Sequence, residues 1–475
     1  MSASTLPLII DGRHVDTLSA PGAPVFIPNE GQEGVNNRIL VLGATPDLCR
    51  QAADSSAAAF ATWRHTSPRE RQALFLRAAQ LLQEHSDKAR QTIQDEIRCS
   101  PTWAAINVND GIAILESVAA LITSGVLSGT SPIVGNPEAH AVVLKEPLGV
   151  VLGIAPWNAP LILGIRAVAA AVAAGNTAIL KGSELSPRTH YFVANLFHDA
   201  GFPSGVVNFL VHRMEDASDC FEALIAHPAV RKCNFTGSTG VGRHVAMRAA
   251  FFLKPVLLEL GGKNFAVVLA DADLDQAATR VLEGALLNSG QICMSTDLIL
   301  VAQEVEKEFR AKLHACLDAF AGEVTSLINP KSGERVQKLL DDVKRQGATL
   351  TRSKANGDSP SAVVIENISP DKQFWSTECF GPAVGIRVID DISQVPALVN
   401  ASEYGLSAAI FTKNHVAAIH MAKKLDVGAV HINGSTVHDE ACLPHGGVKS
   451  SGWGRFGGHW GFDEFLQTKT VIVNP

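Results

Sequence analysis

Short apolar runs alternate with segments of helical spacing from about residue 147 onward. The runs VVLGIAP, TAILKG, VVNFLV and KCNFTGS are strand-like, and the segments that reach Gly175 and Gly201 between them have helical spacing. Such alternation is typical of parallel strands joined by crossover helices that cover both faces of a sheet. The pattern therefore predicts an α/β domain.

A second alternating series begins near PVLLELGGKNFAVVLA. It continues through DLILVA, AVVIENI, LSAAIFTK and GAVHING, and it predicts a second α/β domain. Upstream of both series, Ser67-Pro68-Arg69-Glu70 combines a capping serine, a proline suited to the first helical position and a capping-box glutamate. We expect a helix to begin there.

Two stretches lie outside both series, residues 125–146 and the tail that ends in TKTVIVNP. Short β segments apart from both cores predict a ribbon that pairs between subunits, in a homodimer or homotetramer. An ordinary edge hairpin explains them equally well.

One segment, residues 149–180, is apolar enough to raise the question of a membrane span. Pro156, Asn158, Pro160 and Arg166 interrupt it. A buried strand followed by a buried helix is the favoured interpretation, so no membrane partner is expected.

Composition narrows the class of protein. A length of 475 residues predicts two or more packed units, and 46% hydrophobic against 18% charged residues excludes the disordered class. The net charge is −7, and the 40 lysines and arginines are scattered without a basic block. We therefore expect no nucleic-acid partner.

The eight cysteines form no CxxC pair and no Cys/His cluster with metal-ligand spacing. We expect no metal site and reduced thiols. The start MSASTLPLII lacks the pattern of a signal peptide, and the end KTVIVNP matches no targeting sequence. These features predict a cytoplasmic protein.

Three residues are candidates for chemistry. Cys293 follows Gly290 in NSGQICMST, which suits a tight loop that exposes a sulfur, although a lone cysteine is more often buried and structural. Glu259 ends the apolar run of LELGGK, where a carboxylate could simply be solvated. Asn158 lies between two prolines in PWNAP, where its amide is either a fixed donor or a helix cap.

Together these segments resemble the aldehyde dehydrogenase superfamily over essentially the whole chain. Matching segments occur in the family's order: PWNAP (156–160), KGSE (181–184), FTGSTGVG (235–242), LELGGK (258–263), GQIC (290–293), ECFGP (378–382) and GGVKSSGWGR (446–455). The resemblance implies an α/β fold with three parts. These are a Rossmann-type NAD(P)-binding domain over 1–124 and 147–258, an α/β catalytic domain over 259–449, and a small β oligomerisation ribbon over 125–146 and 460–475.

The resemblance makes Cys293 the nucleophile that attacks an aldehyde carbon. The thiolate is the reactive form, so we expect the site to lower the pKa of Cys293 below the free value of about 8.5. The Asn158 amide and the Cys293 backbone N–H would hold the oxyanion. Glu259 would be the general base for the water that cleaves the thioester.

The resemblance also implies an NAD(P)+ site that lacks the GxGxxG fingerprint. Residues 235–242 predict a strand, a glycine turn and a helix start, where Ser238 and free backbone N–H groups meet the pyrophosphate. Without the family, Lys181 and Glu184 would be an ordinary exposed pair. The predicted cofactor residues are Trp157, Lys181, Ser183, Glu184, Thr236, Gly237, Ser238, Leu260, Gly261, Glu378 and Phe380.

A preference for NAD+ over NADP+ is expected from Glu184, which matches a position at the adenosine ribose. Its carboxylate accepts both ribose hydroxyls and repels a 2′-phosphate. Lys181 nearby softens this discrimination.

The expected substrate is an aromatic or conjugated aldehyde with a polar group. Ala159 and Arg166 are seven residues apart, so on one helix they lie within about 20° of the same face. PWNAPLILGIRA, KGSELSPRTH and GQICMST are similar to salicylaldehyde and vanillin dehydrogenases, and Arg166 would donate to the ring substituent. The predicted substrate residues are Ala159, Arg166, Ile292, Met294, Asp439 and His445.

Two of these residues leave alternatives open. Arg166 could instead pair with a nearby carboxylate at the domain boundary. His445 stands where the family usually has a phenylalanine, and it either hydrogen-bonds the substrate or is a packed histidine.

Two other functions are compatible with the same fold. A CoA-acylating or phosphorylating dehydrogenase would resolve the thioester with another nucleophile, and the water base Glu259 argues against it. A catalytically silent binding or structural protein is the other rival, and the intact set of Cys293, Glu259 and Asn158 gives it no support.

Overall fold

The chain is built on two parallel-rich sheets joined by a short turn. The computed structural model describes residues 5–20, 22–28, 39–354 and 360–475. The helices are α1 (Pro46–Trp63), α2 (Pro68–Glu84), α3 (Ser86–Ile97), α4 (Pro101–Ile122), α5 (Pro160–Ala173), α6 (Pro187–Asp199), α7 (Ala217–Ile225), α8 (Thr239–Phe251), α9 (Leu274–Leu286), α10 (Glu306–Leu317), α11 (Pro330–Arg345), α12 (Gln373–Ser376), α13 (Val395–Asn400), α14 (His415–Ala422) and α15 (Gly458–Asp463).

The strands are β1 (Leu8–Ile10), β2 (Arg13–Val15), β3 (Val25–Phe26), β4 (Val41–Leu42), β5 (His140–Pro147), β6 (Val150–Ile154), β7 (Thr177–Lys181), β8 (Val207–Leu210), β9 (Val230–Thr236), β10 (Val256–Glu259), β11 (Asn264–Val268), β12 (Thr296–Ala302), β13 (Thr349–Arg352), β14 (Val363–Glu366), β15 (Ala383–Ile389), β16 (Tyr404–Gly405), β17 (Ser407–Phe411), β18 (Ala429–Ile432), β19 (Val448–Lys449), β20 (Gly452–Trp453) and β21 (Leu466–Val473).

The first sheet has the order β2-β1-β8-β7-β6-β9-β10-β20 among the described strands. The five strands β8, β7, β6, β9 and β10 are parallel, as the first alternating series predicts. The chain runs from β6 to β7 and β8 on one side, whereas β9 and β10 lie on the other side. The strand order therefore reverses between β6 and β9, and loops that leave their carboxyl ends open a crevice there.

The second sheet has the order β13-β14-β15-β12-β11-β17-β18 in the described part of the chain. All its pairings are parallel except β13 with β14. The predicted second α/β series is thus confirmed, with one correction. PVLLEL forms β10 of the first sheet, and only NFAVV forms β11 of the second. Periodicity could not separate them because both are short buried apolar runs.

The two stretches outside the α/β series pair with each other. β5 and β21 form an antiparallel ribbon with register from Pro147 opposite Leu466 to His140 opposite Val473. Its outer residues Val471, Ile472 and Val473 are exposed. The ribbon is a feature of one chain, and its pairing between subunits stays a prediction.

The apolar segment 149–180 consists of β6, α5 and β7 and is almost fully buried, as expected. By length and composition, the described helix α4 could cross a membrane, but it packs against α2, α3 and α5. The predicted capping box is confirmed, because Ser67 and Glu70 each accept the other's backbone N–H and α2 begins at Pro68. Residues 1–4 of the N-terminal segment lie outside the described residues.

Candidate active site

The predicted motifs of the first half of the chain meet at the carboxyl edge of the first sheet. Asn158 follows β6, Lys181 ends β7 and Glu259 ends β10. The register places Ile154 level with Lys181 and Phe235, and Thr236 level with Glu259. Because parallel strands end at the same edge, residues distant in sequence border one crevice.

The second sheet supplies the opposite side of the crevice. Cys293 lies just before β12, and Glu378 and Phe380 lie just before β15. The turn between β10 and β11 brings the amino ends of these strands to the carboxyl edge of the first sheet. Asn264 secures the cysteine loop, because its amide donates to the carbonyls of Cys293 at 2.9 Å and Ser295 at 2.8 Å.

Glycine is required in the connecting turn. A Cβ at Gly262 would lie 2.4 Å from the carbonyl oxygen of Cys293, and one at Gly261 would lie 2.7 Å from the carboxylate of Glu378. The contact at Gly262 is with backbone, which cannot easily move, whereas the contact at Gly261 is with the end of the Glu378 side chain. The paired glycines of LELGGK therefore let the backbone pass close to the candidate nucleophile.

A cavity of about 360 Å³ occupies the crevice. All three predicted catalytic residues and most predicted cofactor residues line it: Trp157, Asn158, Thr236, Gly237, Ser238, Glu259, Leu260, Gly261, Cys293, Glu378 and Phe380. Pro156, Ser332 and Arg335 complete the lining. The structure thus brings the sequence-predicted set together.

Asn158 is held rigidly at one wall of this cavity. Its backbone carbonyl accepts from Trp103 Nε1 at 2.8 Å and from Asn288 Nδ2 at 3.1 Å. Its side-chain amide donates to the carbonyl of Gln291 at 3.0 Å. An amide nitrogen carries two N–H groups, so one donor beyond this bond is available to a ligand.

Glu259 also lines the cavity, but unlike Asn158 it is not held by hydrogen bonds from the part of the chain that the structure describes. Its side chain is 1% exposed, and neither carboxylate oxygen has a hydrogen-bond partner among the described residues. Burial raises the pKa of Glu259, but His445, Cys293 and Arg166 oppose it and together bring that pKa below its ordinary value. Glu259 is therefore a carboxylate in a dry environment, which is a suitable state for a base.

The expected lowering of the Cys293 pKa is not found. Burial raises the pKa of the thiol well above its ordinary value, and the carboxylates of Glu259 and Glu378 add to this effect. Arg166 opposes it only in part. The physical reason is that burial and two neighbouring carboxylates disfavour a further negative charge on the sulfur. The sulfur rests as a thiol beside a carboxylate.

Glu378 and Phe380 are fixed by backbone contacts. The Gly262 N–H donates to Glu378 Oε1 at 2.8 Å, and burial raises the pKa of Glu378 to about 7. Phe380 has a positive φ of 47°, and its ring meets Trp157 edge to face at 5.8 Å. Arg335 donates to the carbonyls of all three residues 378–380.

A second cavity of about 480 Å³ lies farther along the edge of the first sheet. Lys181, His212 and Phe235 are among its lining residues. Lys181 Nζ lies 4.0 Å from Glu184 Oε2, and burial lowers the pKa of Lys181 against the opposing effect of Glu184. The two cavities lie near each other along this edge, because Phe235 lines the second and its neighbour Thr236 lines the first.

The start of α8 lies next to these cavities. Ser238 is its N-cap residue, with extended backbone and no hydrogen bond from its own side chain to the helix. The first N–H groups of the helix are therefore not capped by Ser238 and suit an anion. The Ser183 hydroxyl accepts the Leu185 N–H at 3.2 Å and keeps its own O–H as a donor, and its contact with a cofactor stays a prediction.

The predicted substrate residues fall into two groups. Ala159, the N-cap residue of α5, and Ile292, beside Cys293, are buried, and Met294 is half-buried. Arg166, Asp439 and His445 instead line a small cavity of about 30 Å³ behind Glu259. Arg166 forms an ion pair with Asp439, so the alternative of a carboxylate partner describes its geometry.

Several supporting residues were missed by the sequence interpretation. Trp103, Asn288 and Gln291 hold Asn158. Lys263 and Asp297 form a buried ion pair at 2.9 Å, and the Asp297 carboxylate also accepts the backbone N–H of Cys379. These residues carry no local signal because they act across 30 to more than 100 positions of sequence. Lys263 and Gln291 lie in the recognised motifs LELGGK and GQIC, but their partners lie far away in sequence.

Metal ligation has no candidate among the described residues, because no group of three or more His, Cys, Asp or Glu side chains is placed to hold an ion. All eight cysteines are free.

Comparisons with known proteins agree with this geometry. A family model described as "Aldehyde dehydrogenase family" matches residues 38–471. The chain is similar to a vanillin dehydrogenase of Pseudomonas sp. (strain HR199 / DSM 7063), with 40% identity over 91% of each chain. It is 35% identical to a salicylaldehyde dehydrogenase of Pseudomonas putida over 90% of each chain. The crystal structure of a salicylaldehyde dehydrogenase from Pseudomonas putida G7 complexed with salicylaldehyde matches with a TM-score of 0.93 and 32% identity, covering 99% of this chain and 98% of that one.

Proposed function

The chain belongs to the aldehyde dehydrogenase family, and we propose that it oxidises an uncharged aromatic aldehyde with a polar ring substituent, using NAD+ and a thioester on Cys293. Its class is that of an aldehyde-oxidising oxidoreductase, and its family uses NAD(P). The observation that carries the proposal is the single cavity shared by Cys293, Glu259 and Asn158.

The residues present fit a nicotinamide dinucleotide. The α8 N-terminus offers N–H groups to a pyrophosphate, the cavity with Lys181 suits an adenosine, and Glu378 with Phe380 borders the cavity of Cys293. When bound, the nicotinamide would supply the hydride acceptor that the oxidation needs. We infer a preference for NAD+ from Glu184, whose carboxylate suits ribose hydroxyls.

The first step on the protein side is proton removal from Cys293. Because Cys293 rests as a thiol and Glu259 as a carboxylate, the proton moves from the sulfur toward Glu259 as the sulfur attacks the aldehyde carbon. The free N–H of the Asn158 amide, with the Cys293 backbone N–H, then receives the developing oxyanion. Once the thioester has formed, Glu259 gives up the cysteine proton to solvent. In the second step, hydrolysis, it takes a proton from water.

The charges around Arg166 narrow the substrate class. Arg166 is paired with Asp439, and the carboxylates of Glu259 and Asp110 also act in this region. The net charge of these side chains is therefore already negative, and a substrate carboxylate would have to compete with Asp439 for the Arg166 guanidinium. A neutral hydroxyl or carbonyl can share the remaining N–H donors of Arg166. The names of the vanillin and salicylaldehyde relatives support the same class.

The assembly and domain roles are further parts of this proposal. We assign cofactor binding to the first sheet, catalysis to the second and oligomerisation to the β5–β21 ribbon, in a homodimer or homotetramer. A two-stranded ribbon with exposed Val471 and Ile472 is marginally stable alone, which supports its burial against another subunit. The free cysteines support a reducing, cytoplasmic compartment.

The test is NADH formation from NAD+ and a hydroxybenzaldehyde, without CoA or phosphate, together with identification of the acid product. Cys293→Ala should bind NAD+ and form no NADH, whereas Cys99→Ala, at a buried thiol outside the cavity, should remain active. NADH formation that requires CoA, or activity in Cys293→Ala above a trace, would contradict the mechanism. Faster oxidation of short alkyl aldehydes than of aromatic ones would contradict the substrate class.

A further inference from the structure

His445 lies between the carboxylates of Glu259 and Asp439. Its Nε2 is 3.9 Å from Glu259 Oε1, and its Nδ1 is 3.5 Å from Asp439 Oδ2. The side chain is 8% exposed. These separations exceed a formed hydrogen bond but are closed by a small rotation of the ring or of either carboxylate.

The position of the ring is set by its surroundings. The backbone of His445 pairs with that of Phe456 through two hydrogen bonds of 2.8 Å. Asp439 is held by the ion pair with Arg166, and its Oδ1 accepts the Glu440 N–H at 2.9 Å. The imidazole therefore faces a fixed carboxylate on one side and the candidate base on the other.

We propose that His445 is a positioning residue that relieves Glu259 of the proton taken from the hydrolytic water. The inference rests on the proposed function. As the water oxygen bonds to the thioester carbon, one water proton passes to Glu259. The carbon–sulfur bond then breaks, and the remaining proton of the carboxylic acid product passes to the Cys293 sulfur, so that the thiol re-forms and the product leaves as a carboxylate. The proton moves from Glu259 Oε1 to His445 Nε2, which leaves Glu259 as a carboxylate and His445 as an imidazolium between two carboxylates. Its release to solvent restores the resting state.

Elimination among the neighbouring groups supports this assignment. Besides His445, the groups that change the pKa of Glu259 are Cys293 and Arg166. His431 interacts electrostatically with His445. Cys293 carries the acyl group at this stage, and Arg166 is already protonated. Glu259 has no hydrogen-bond partner among the described residues that could otherwise take the proton. Asp439 Oδ2 lies 3.5 Å from His445 Nδ1 and is an acceptor for an N–H at that nitrogen.

The test compares His445→Phe with the parent enzyme. Phenylalanine keeps an aromatic ring and removes both nitrogens. The first-turnover burst of NADH should stay within about twofold, whereas decay of the preformed acyl-enzyme should slow by about tenfold or more, the lower range for loss of proton-transfer assistance. A KM effect without this loss in decay would indicate the substrate contact considered from the sequence and would overturn the proposal.

The pH profile provides the readout that a packing role would not change. Loss of His445 removes an interaction that lowers the pKa of Glu259, while burial still raises it. The base then stays protonated to higher pH, so the acid limb of acyl-enzyme decay should move upward by about one pH unit. An acid limb and a decay rate equal to those of the parent would refute the relay.

Two further variants secure the result. His445→Gln keeps a donor for Glu259 but cannot accept its proton, so it should not restore the decay rate. Asp439→Asn should shift the acid limb in the same direction by less, and it carries the test if His445→Phe does not fold. Failure of the proposed function is distinct, because the parent would then give no NADH burst with any aromatic aldehyde.

Discussion

The Asn158 and Glu259 walls of the cavity beside Cys293 differ in how many hydrogen bonds hold the side chain. At the Asn158 wall, the backbone carbonyl accepts two hydrogen bonds and the amide donates a third, so the group cannot turn. At the Glu259 wall, a fully buried carboxylate has no hydrogen-bond partner among the described residues. A donor to an oxyanion works best when it is fixed before the reaction, whereas a base must change its protonation state and its contacts in each turnover.

Glu259→Gln should give the largest change, because it removes the carboxylate that accepts the proton and keeps the shape of the side chain. Thioester hydrolysis should slow by about two to four powers of ten, more than thioester formation. Intact-mass measurement during turnover should show a substrate-sized adduct on Cys293. Normal steady-state turnover with no adduct would exclude Glu259 as the base.

Asn158→Ala tests the rigid wall. Loss of one oxyanion donor should slow the first-turnover NADH burst by about two to three powers of ten. Decay of the acyl-enzyme should slow as well, because hydrolysis also passes through an oxyanion, and this distinguishes the variant from Glu259→Gln. Trp103→Phe is the matched control, since it removes only a donor to the Asn158 carbonyl and should cost less. An unchanged burst in Asn158→Ala would remove the oxyanion role.

The Arg166→Leu variant tests whether Arg166, which lies with Asp439 and His445 on one small cavity, contacts the substrate. Because the variant alone leaves Asp439 as a buried unpaired charge, it should be made together with Asp439→Asn. Relative to Asp439→Asn alone, the double variant should lose roughly 1.5 to 3 kcal/mol of transition-state binding for a hydroxybenzaldehyde and little for benzaldehyde. Equal losses for both aldehydes would leave Arg166 with a structural role only.

The smallest expected effect lies farthest from both walls, at the proposed adenosine site. Glu184→Gln should raise kcat/KM for NADP+ relative to NAD+ by about fivefold, the size of a charge interaction of about 1 kcal/mol. Glu215→Gln, on the lining of the cavity that contains Lys181, is the matched control and should change the ratio less. Comparable use of both cofactors by the parent enzyme would contradict the preference itself.

The prediction of the cysteine pKa shows where local sequence ceases to be informative. GQIC identifies the position of Cys293 but says nothing about the two carboxylates that face it. Glu259 is 34 positions upstream and Glu378 is 85 positions downstream, and only the meeting of the two sheets brings them to the sulfur. The expected lowering of the pKa was wrong because it rested on the chemistry required and not on these neighbours.

Arg166 shows the same limit in another form. Arg166 lies on α5 as expected, but the helix begins at Pro160, and Ala159 is its N-cap residue with non-helical backbone. The partner of Arg166, Asp439, lies 273 positions away, in a loop that follows the second sheet, and no local pattern connects them. The sequence therefore left a substrate contact and an ion pair as alternatives, and the geometry shows the ion pair.

By itself, the sequence determined the succession of strands and helices, the capping box of α2, and the loops that carry Asn158, Glu259 and Cys293. These features depend on periodicity, turn residues and steric rules that act over a few positions. The tertiary structure decided that β10 belongs to the first sheet, that β20 returns to it, and that His445 stands between Glu259 and Asp439. Strand order and long-range electrostatics depend on which surfaces meet in space, and hydrophobic periodicity marks a surface as buried without naming its partner.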